Sequence, residues 1–375
     1  MVEIHPQLIV LQPTTYCNIN CSYCYLARRD LKKTMALEVI EAVKAKVIDP
    51  IADLEKTVLV WHGGEPTAAG LPWFIKAYET LSGARSRGLR FAIQTNGIAI
   101  NPEWLALFKE TETALGFSID GPCEFHDANR RTRAGGRTWH LALRGLKLAQ
   151  SHGFHPNVIS VITAAATAHA GAFYDFYRSN GITTVSLSMD ELEGANTASS
   201  HSGQSSRTRM ANFISELLEL AWRDSFPLRI KEVERIASLL GGNAECFNEQ
   251  VSPWAMLTVT VEGNVSTFSP ELMEQAAPQF GNFCFGNVLT GGVAQWQANP
   301  YFQMFRDDVT IGLQRCREQC SYFPVCGGGS PVNKVAECGT AQAAETDYCR
   351  ITTQAAADGL AQFVLSKRAL NTRSD

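Results

Sequence analysis

Short apolar runs rich in β-branched residues alternate with segments of helical periodicity along the first half of the chain. Six runs fall between residues 7 and 190, and helical spacing separates them. They are LIVLQPT, KTVLVWHGGEPT, LRFAIQTNG, TALGFSIDGP, NVISVIT and TTVSLSM. This alternation predicts an α/β fold whose parallel strands are joined by right-handed helical crossovers. Periodicity alone leaves open whether the sheet stays open or curls into a partial barrel.

The pattern changes near residue 195. A polar Ser/Gly-rich stretch, ANTASSHSGQSS, precedes the helical segment RTRMANFISELLELAWRD. Further on, MLTVTVEGNVSTF alternates around EGN, which predicts a two-stranded hairpin. A Gly-rich, cysteine-dense segment follows Gly281, and a final helix is expected from about Thr352. We therefore predict three parts: an α/β part over 1–195, bridging helices and the hairpin over 196–280, and a cysteine-rich region with the last helix over 281–375.

Composition and charge narrow the class of protein. The 375 residues include 45% hydrophobic and 19% charged residues, as is typical of a soluble globular protein. The formal net charge of −4 gives no general attraction to nucleic acid or to an anionic membrane. The first sixteen residues lack the features of an export signal, and no apolar run has the roughly 18 residues needed to span a bilayer. The sequence therefore predicts a cytoplasmic protein that binds neither nucleic acid nor membrane.

Three of the eleven cysteines lie within eight residues, directly after the first predicted strand. Cys17, Cys21 and Cys24 have the spacing C-x3-C-x2-C. A structural zinc site needs four ligands, and a thioredoxin-type pair needs only two cysteines. A 4Fe–4S cluster has four irons, so three thiolates leave one iron open for another ligand. In a reducing compartment clustered thiols favour metal binding over disulfides, while chance packing of buried cysteines stays an alternative.

This spacing, together with Tyr23 before the third cysteine, resembles the signature of the radical S-adenosylmethionine (SAM) enzymes. The resemblance covers roughly residues 8–190 and implies a partial (β/α)6 radical SAM barrel. It also implies that the three cysteines hold a 4Fe–4S cluster, and that the amino and carboxylate groups of SAM bind its open iron. Reductive cleavage of SAM then gives a 5′-deoxyadenosyl radical, which abstracts hydrogen from a substrate.

The loops after the next three predicted strands support this resemblance. HGGEP, QTNG and SIDGP follow successive strands, and parallel folds place their sites at the carboxyl ends of strands. Each motif taken singly is more often a turn. The resemblance implies that Glu65 meets the SAM amino group and Ser118 the ribose. Arg130 would meet the SAM carboxylate, with Arg144 as its rival. The predicted SAM contacts are Tyr23, Gly63, Gly64, Glu65, Gln94, Asn96, Ser118, Asp120 and Arg130.

A second group of cysteines lies beyond residue 300. Cys316, Cys320, Cys326 and Cys349 have the spacing C-x3-C-x5-C-x22-C. Four cysteines without histidine are compatible with a zinc ribbon. The segment also resembles the SPASM extension of radical SAM peptide maturases, which binds auxiliary 4Fe–4S clusters. The resemblance implies a C-terminal iron–sulfur extension, with one auxiliary 4Fe–4S cluster ligated by these four cysteines.

Two positions depart from the usual SPASM pattern. That pattern has a cysteine where this chain has Ser330, and another at the end of the hairpin, where VTVEGNVSTFSPEL has none. Both positions belong to the first of two auxiliary clusters, so we predict that only the second is kept. Cys246 and Cys284 are available to rebuild the first site, but their spacing gives no support. With Cys123 and Cys338, we expect them to be ordinary cysteines.

Four stretches, CNINCSYCYL, STFSPEL, FGNV and CGGGSPVNK…YCR, together resemble the cyclophane-forming radical SAM/SPASM maturases of glycine-rich-repeat precursor peptides. This resemblance covers nearly the whole chain. It implies a carbon–carbon crosslink between an aromatic ring and the β-carbon of a nearby residue in a ribosomally made precursor peptide. We expect a flavodoxin or ferredoxin as electron donor, and a monomer. Only sixteen residues precede Cys17, so we expect the barrel and its extension, or a partner, to grip the precursor.

The resemblance leads to a hypothesis for the mechanism. The deoxyadenosyl radical takes a β-hydrogen from a substrate residue, and the carbon radical adds to an aromatic ring two residues away. Restoring the aromatic ring then requires loss of a proton and an electron. An auxiliary cluster without an open iron suits the role of electron acceptor. Glu271 is our nominated base, with Glu193 and Glu191 in MDELEG as alternatives, although each is more often a structural carboxylate.

Two other functions stay open. A sulfatase-type maturase, which oxidises Cys or Ser to formylglycine, shares every SAM motif but usually keeps both auxiliary clusters. A non-catalytic iron–sulfur or zinc scaffold would have no use for the three loop motifs. Metal content separates them: about eight irons per chain for the crosslinking enzyme, about twelve for the formylglycine type, and zinc alone for a scaffold.

Overall fold

The structure of the protein, a computed structural model, describes residues 4–203, 205–242 and 246–371. Its strands are β1 (Leu8–Leu11), β2 (Val58–Trp61), β3 (Arg90–Thr95), β4 (Ala114–Ser118), β5 (Asn157–Ile162), β6 (Thr184–Met189), β7 (Arg229–Ile230), β8 (Met256–Val259), β9 (Asn264–Thr267) and β10 (Gly286–Asn287). They form one ten-stranded sheet in the order β10-β9-β8-β1-β2-β3-β4-β5-β6-β7.

Strands β1 to β6 are parallel and pair in sequence order. Each corresponds to one of the six predicted apolar runs, and helices connect successive strands. These helices are α1 (Leu37–Val43), which continues as a π-helix (Lys44–Ile48), α2 (Leu71–Arg85), α3 (Pro102–Glu110), α4 (Cys123–Asn129), α5 (Trp139–Ser151) and α6 (Ala170–Ser179). The predicted α/β fold class is therefore confirmed.

The hairpin of β8 and β9 joins this sheet beside its first strand. β8 runs parallel to β1, with Leu8 opposite Met256, and β9 returns antiparallel to β8. The sequence predicts the hairpin but not this pairing, because a hairpin is a local structure and its partner strand lies far away in sequence. At the other edge, β7 pairs with β6. One sheet thus includes both the predicted 1–195 part and the hairpin, and the three-part division stays a prediction.

The remaining helices build the C-terminal half of the molecule. They are α7 (Ser205–Arg223), α8 (Lys231–Leu240), α9 (Val293–Gln297), α10 (Pro300–Gln319), α11 (Phe323–Cys326), α12 (Pro331–Cys338), α13 (Asp347–Cys349), a π-helix (Arg350–Gln354) and α14 (Ala355–Asn371). Arg207 on α7 donates to Asp358 and to Gln354, each over 2.7 Å. These contacts fasten the cysteine-rich region to the helices around the sheet. Within the described ranges, no helix combines the length and hydropathy needed to cross a bilayer.

The core fixes the strand ends that carry the predicted motifs. Trp61, the last residue of β2, is fully buried and packs edge-on against Phe74 and Tyr78 of α2. Its indole N–H also donates to the Tyr78 hydroxyl over 3.1 Å. A large ring with a satisfied polar atom holds one orientation in a core. The loop that begins at His62 therefore leaves a rigid strand end.

Candidate active site

One cavity of about 310 Å³ opens at the carboxyl ends of the parallel strands. It receives the cysteine loop after β1 and the loops after β2, β3, β4 and β6. All predicted SAM contacts except Asp120 line it, together with the three clustered cysteines and the three candidate bases. Those residues are Cys17, Cys21, Tyr23, Cys24, Gly63, Gly64, Glu65, Gln94, Asn96, Ser118, Arg130, Glu191, Glu193 and Glu271. Arg144 is exposed on α5 and donates to the carbonyl of Ile98, so the structure places it away from this cavity.

Guanidinium groups hold the backbone of the cysteine loop, and Arg133 donates to the carbonyl of Cys17 over 3.4 Å. Arg29 donates to the backbone carbonyls of Leu26 over 2.5 Å, Cys21 over 3.3 Å and Cys24 over 3.5 Å. Burial raises the pKa of the Cys17 thiol to about 12 and that of the Cys21 thiol to about 11. A thiolate in such a place needs a bound cation, because burial disfavours an uncompensated charge. The loop is therefore suited to iron.

The glycines of HGGEP are required by close packing against the cysteine loop. Gly64 has a φ of +62°, and a Cβ there would lie 2.6 Å from the carbonyl oxygen of Tyr16. The next residue, Glu65, donates its N–H to that same oxygen over 2.8 Å. No residue other than glycine fits here without a shift of the backbone. The motif thus clamps the cysteine loop to the end of β2.

Glu65 is a buried carboxylate in a ring of donors. Its Oε1 accepts from the Thr67 hydroxyl over 2.6 Å, the Thr67 N–H over 3.2 Å and the Thr95 hydroxyl over 2.7 Å. Among the residues that the structure describes, its Oε2 accepts from the Asn96 N–H alone, over 2.8 Å. Burial raises the pKa of this carboxyl group, and the hydrogen bonds act against that rise. Oε2 therefore keeps acceptor capacity for one more donor, such as an ammonium.

Asp120 lies beneath the cavity wall and supports two residues that line it. Its Oδ2 is 2.9 Å from Arg130 Nε and accepts from the Tyr23 hydroxyl, while its Oδ1 accepts from Val161 N–H over 2.9 Å. The Arg130 guanidinium also lies over the Tyr23 ring, 5.4 Å from its centre. Since its oxygens are occupied by protein groups, Asp120 positions Arg130 and Tyr23. Its direct contact with SAM stays a prediction.

Two amide side chains tie neighbouring loops together at the mouth. Gln94, on β3, donates to the hydroxyl of Ser118 at the end of β4 over 2.8 Å. Asn96 donates to the Asn18 side chain of the cysteine loop over 2.7 Å. The Ser118 hydroxyl accepts that bond and keeps its own hydrogen to donate. Gln94, Asn96 and Ser118 thus bring polar groups to the wall of the cavity.

The three candidate bases converge in this cavity, although they come from distant parts of the sequence. Glu191 and Glu193 follow β6, and Glu271 follows β9. Burial raises the pKa of Glu191 and of Glu193, and Glu271 raises both further through its charge. Glu191 accepts a hydrogen bond from Asn333 on α12. A carboxyl group whose pKa lies above its ordinary range is suited to exchange a proton near neutral pH.

Two further residues line the cavity that sequence reasoning missed. Tyr25 follows the third cysteine, and its hydroxyl lies 3.4 Å from Nδ1 of His62, with the two rings stacked. Burial lowers the pKa of His62. The signal in the sequence was their position, since Tyr25 adjoins Cys24 and His62 directly precedes the GGEP glycines. A half-buried histidine beside a tyrosine hydroxyl has the chemistry to exchange a proton with it.

The four cysteines of the second group also line one cavity. They come from the end of α10, its C-cap, the end of α11 and α13: Cys316, Cys320, Cys326 and Cys349. The Gly329 N–H donates to Cys326 Sγ over 3.2 Å, and the Thr346 hydroxyl donates to Cys349 Sγ over 3.0 Å. Burial raises the pKa of Cys349 to about 11. Donors aimed at sulfur atoms are typical of iron–sulfur ligands.

A single ion and a cluster make different demands on ligand placement. In the part of the chain that the structure describes, no three His, Cys, Asp or Glu side chains converge closely enough to hold one metal ion. A 4Fe–4S cluster does not need that convergence, because each thiolate binds a different iron. Both cysteine groups therefore fit a 4Fe–4S cluster, because each brings several thiol ligands to one cavity.

The two positions that depart from the SPASM pattern are buried. Ser330 is 2% exposed, and its Oγ has no hydrogen-bond partner among the described residues. At the end of the hairpin Phe268 is fully buried with a φ of +76°. It packs in an aromatic group whose closest pair, Phe283 and Phe305, has ring centres 4.7 Å apart. Phenylalanine rings thus occupy the hairpin end, where the usual pattern has a thiol.

The other four cysteines are scattered. Cys123, Cys246 and Cys338 are exposed, and Cys284 is half-buried. Cys246 lies near the second group, since a Cβ on Gly327 would be 3.1 Å from its Sγ. Their expected role as ordinary cysteines stays a prediction.

A model of the radical SAM superfamily matches residues 11–165 of the chain. An uncharacterised protein of Synechocystis sp., sll1766, is 34% identical over 358 residues, which cover 94% of this chain and 90% of that protein. Residues 11–165, which include the three-cysteine loop and most of the parallel sheet, therefore form a radical SAM domain. The predicted cofactors, SAM and a 4Fe–4S cluster, are confirmed at the level of that domain family.

Relatives with an assigned activity are more distant. A serine-type anaerobic sulfatase-maturating enzyme of Bacteroides thetaiotaomicron is 32% identical over 184 residues, 46% of this chain and 44% of that enzyme. The match thus spans about half the length of each protein. A cysteine-type enzyme of Clostridium novyi is 22% identical over 355 residues, 87% of this chain and 88% of that enzyme.

Two solved structures share the fold. The anSMEcpe structure with bound AdoMet has a TM-score of 0.77 at 18% identity and covers 96% of this chain and 97% of its own. Streptococcus suis SuiB bound to S-adenosylmethionine has a TM-score of 0.64 at 15% identity, with coverage of 92% and 77%. These likenesses show the same architecture over almost the whole chain, including its C-terminal extension.

Proposed function

We propose that this protein is a peptide maturase that forms a cyclophane, joining an aromatic ring carbon to the β-carbon of a nearby residue in a precursor peptide. One arrangement carries the proposal. The same cavity is lined by the three clustered cysteines and by the three candidate bases. Glu191 accepts a hydrogen bond from Asn333 on helix α12, and this helix follows Cys326 of the four-cysteine group in the chain. A radical source, a base and an electron acceptor are what this reaction requires.

The residues of the cavity fit SAM and a cluster. SAM and a cluster bound at the three-cysteine loop would together supply a 5′-deoxyadenosyl radical, which takes a hydrogen atom from the substrate. We assign Glu65 to the SAM amino group, because its Oε2 has one partner and faces the cavity. We assign Arg130, held by Asp120, to the SAM carboxylate. Ser118, with Gln94 behind it, is our assignment for the ribose.

The proposed reaction balances in atoms and electrons. One electron from a reduced flavodoxin or ferredoxin cleaves SAM into methionine and the radical. The substrate β-carbon loses a hydrogen atom, which leaves in 5′-deoxyadenosine, and then bonds to the ring carbon. The ring carbon loses a proton to Glu271, with Glu193 and Glu191 as alternatives. The ring also has to give up one electron, and a cluster held by Cys316, Cys320, Cys326 and Cys349 would supply the acceptor for it. The peptide is therefore two hydrogen atoms lighter per crosslink.

A flexible peptide is the substrate class that we propose. The reacting residue has to enter a cavity enclosed by loops, which an extended segment does more easily than a folded domain. The SuiB structure with SuiA contains a bound precursor peptide, and an anSMEcpe structure contains a bound peptide. A monomeric enzyme in the cytoplasm, where precursors are synthesised, is part of the same proposal.

The test is anaerobic co-expression or reconstitution with short precursor peptides that contain an aromatic residue followed two positions later by a possible partner. We expect product that is lighter by two hydrogen atoms per crosslink and gives no backbone fragments between the joined residues in tandem mass spectrometry. A Cys17→Ala variant should give none. Unmodified peptide from an enzyme that still converts SAM to 5′-deoxyadenosine in its presence would contradict the crosslinking function.

Formylglycine formation is the second candidate, because the relatives with assigned activities are sulfatase-maturating enzymes. A serine converted to formylglycine also loses two hydrogen atoms, so mass alone does not separate the two reactions. Formylglycine carries an aldehyde that reacts with hydroxylamine probes, whereas a cyclophane does not. Iron analysis gives a second criterion, with about eight irons expected for one auxiliary cluster and about twelve for two.

A further inference from the structure

Lys334 is a buried lysine at the second cysteine group. Its side chain lies on α12 with 1% exposure, and its Nζ is 3.2 Å from Cys316 Sγ. Among the residues that the structure describes, no carboxylate forms an ion pair with it. Lysine is almost never this buried unless it is paired. Cys316 Sγ is therefore the partner that accounts for the position of this ammonium.

The preceding glycines make this contact possible. Gly327, Gly328 and Gly329 have φ values of +72°, +119° and +73° and turn the chain from α11 into α12. A Cβ on Gly329 would lie 3.3 Å from Cys349 Sγ and 3.5 Å from Lys334 Cε. That Cβ would be in tight contact with a predicted cluster ligand and in ordinary van der Waals contact with the lysine stem. The glycine turn therefore lies directly against both Lys334 and Cys349.

The charge of Lys334 reaches more than one of the four cysteines. Burial raises the pKa of Cys316 and of Cys349, and the lysine opposes that rise in both. Gly329 N–H adds a neutral donor to Cys326 Sγ, and the Thr346 hydroxyl adds one to Cys349 Sγ. Lys334 is thus the one full positive charge that touches a ligand sulfur of this group among the described residues.

We propose that Lys334 sets the reduction potential of the auxiliary cluster, raising it above the value that the cluster would have without this buried positive charge. A four-thiolate cluster becomes one charge more negative when it is reduced. A buried cation beside it stabilises the reduced form more than the oxidised form, because solvent screens the charge poorly there. Lys334 is a positioning residue, since it acts through Cys316. The inference rests on the proposed function only in placing iron at these cysteines.

The experiment is a potentiometric titration of anaerobically reconstituted full-length enzyme, followed by electron paramagnetic resonance. We compare wild type with Lys334→Met, Lys334→Gln and Lys334→Arg. Met removes charge and hydrogen bond, Gln keeps a donor without the charge, and Arg keeps the charge. We expect the auxiliary midpoint to shift to more negative potential in the Met and Gln variants and to stay near the wild-type value in the Arg variant. The SAM-binding cluster, recognised by its spectral response to SAM, should not shift.

Three outcomes would overturn the proposal. The first is an unchanged auxiliary midpoint in Lys334→Met, and the second is an equal shift of both clusters. The third is loss of iron from both neutral variants with retention in Lys334→Arg, which would make the lysine a structural anchor. Lys109→Met, at an exposed lysine of α3, is the matched control and should leave both midpoints unchanged. A midpoint shift without any crosslinked peptide would uphold this inference and count against the proposed function.

Discussion

Asn333, on helix α12, donates a hydrogen bond to Glu191 at the end of strand β6. This contact joins the C-terminal extension to the carboxylates of the cavity. Asn333 is itself 1% exposed, so its amide is committed to that position. The same helix carries Lys334, which contacts Cys316. One helix therefore touches both the candidate base group and the second cysteine group.

Replacing Asn333 should impair the reaction without removing iron. In Asn333→Leu the half-buried Glu191 loses its hydrogen-bond donor, and a buried polar group left without a partner costs about 1–3 kcal/mol. We expect crosslinking to slow by about tenfold or more, corresponding to about 1.4 kcal/mol, with iron content unchanged. Rates come from timed mass spectrometry. Asn180→Leu, at the C-cap of α6, is the control. An equal loss of crosslinking rate in both variants would mean that the effect comes from general destabilisation of the protein.

The two cysteine groups should differ in what their loss removes. Cys17→Ala should abolish 5′-deoxyadenosine formation, because a cluster ligand is lost at the site where SAM is expected to bind. Cys349→Ala should still form 5′-deoxyadenosine but should not complete the crosslink. Chromatography of nucleosides and mass spectrometry of the peptide give the two readouts. Cys123→Ala, at an exposed cysteine, serves as control. Normal crosslinking by Cys349→Ala would show that the second cysteine group does not hold the electron acceptor.

Asp120→Asn should weaken SAM binding through Arg130. The change leaves a buried guanidinium without its ion-pair partner, and breaking a buried pair costs about 3–5 kcal/mol. We expect a lower melting temperature and at least tenfold weaker SAM binding in equilibrium dialysis of reconstituted enzyme, about 1.4 kcal/mol. Asp175→Asn, at an exposed position on α6, should change neither quantity. Unchanged SAM affinity in Asp120→Asn would contradict the assignment of Arg130 to the SAM carboxylate.

Gly64→Ala should prevent proper seating of the cysteine loop. The new Cβ would meet the Tyr16 carbonyl oxygen at 2.6 Å and that of Thr14 at 2.7 Å, at a φ of +62°. A left-handed conformation alone costs a non-glycine residue about 1 kcal/mol or more, before the clash is counted. We expect reduced iron loading and a lower melting temperature. Gly292→Ala, where no atom lies within 4 Å of the added Cβ, should match wild type.

Stability should fall as pH rises above the ordinary carboxyl pKa of 4.5, because burial raises the folded-state pKa of Glu191 and Glu193. In that window the folded protein holds protons that the unfolded chain has released, so the unfolding free energy decreases with pH. Melting temperatures between about pH 5 and about pH 8 measure this. In the Glu191→Gln, Glu193→Gln double variant the decrease should be smaller. An identical decrease would assign it to other groups.

The base hypothesis has a matching prediction for rate. If Glu191 or Glu193 is the base, crosslinking should speed up as pH rises through its raised pKa, since only the carboxylate accepts a proton. Glu271→Gln, Glu193→Gln and Glu191→Gln are compared singly at several pH values. The variant that loses both the rate and its pH dependence identifies the base. Retention of wild-type rates by all three would exclude this carboxylate group from proton removal.

The sequence by itself determined the parallel core and the chemistry of its loops. Strands β1 to β6 were predictable because apolar alternation and helical spacing are local properties of the chain. The spacing of Cys17, Cys21 and Cys24 and the motifs after β2, β3 and β4 predicted which loops meet at the strand ends, because parallel strands bring their carboxyl ends to one edge.

Only the tertiary structure decided which distant residues touch. The local sequence pattern does not predict the parallel pairing of β8 with β1. It also does not predict the buried ion pair of Asp120 with Arg130. The contacts of Glu191 with Asn333 and of Lys334 with Cys316 join segments that are far apart in the chain. Such contacts depend on how whole elements pack, and that packing is set by the sum of many weak interactions over the folded core rather than by any short stretch of sequence.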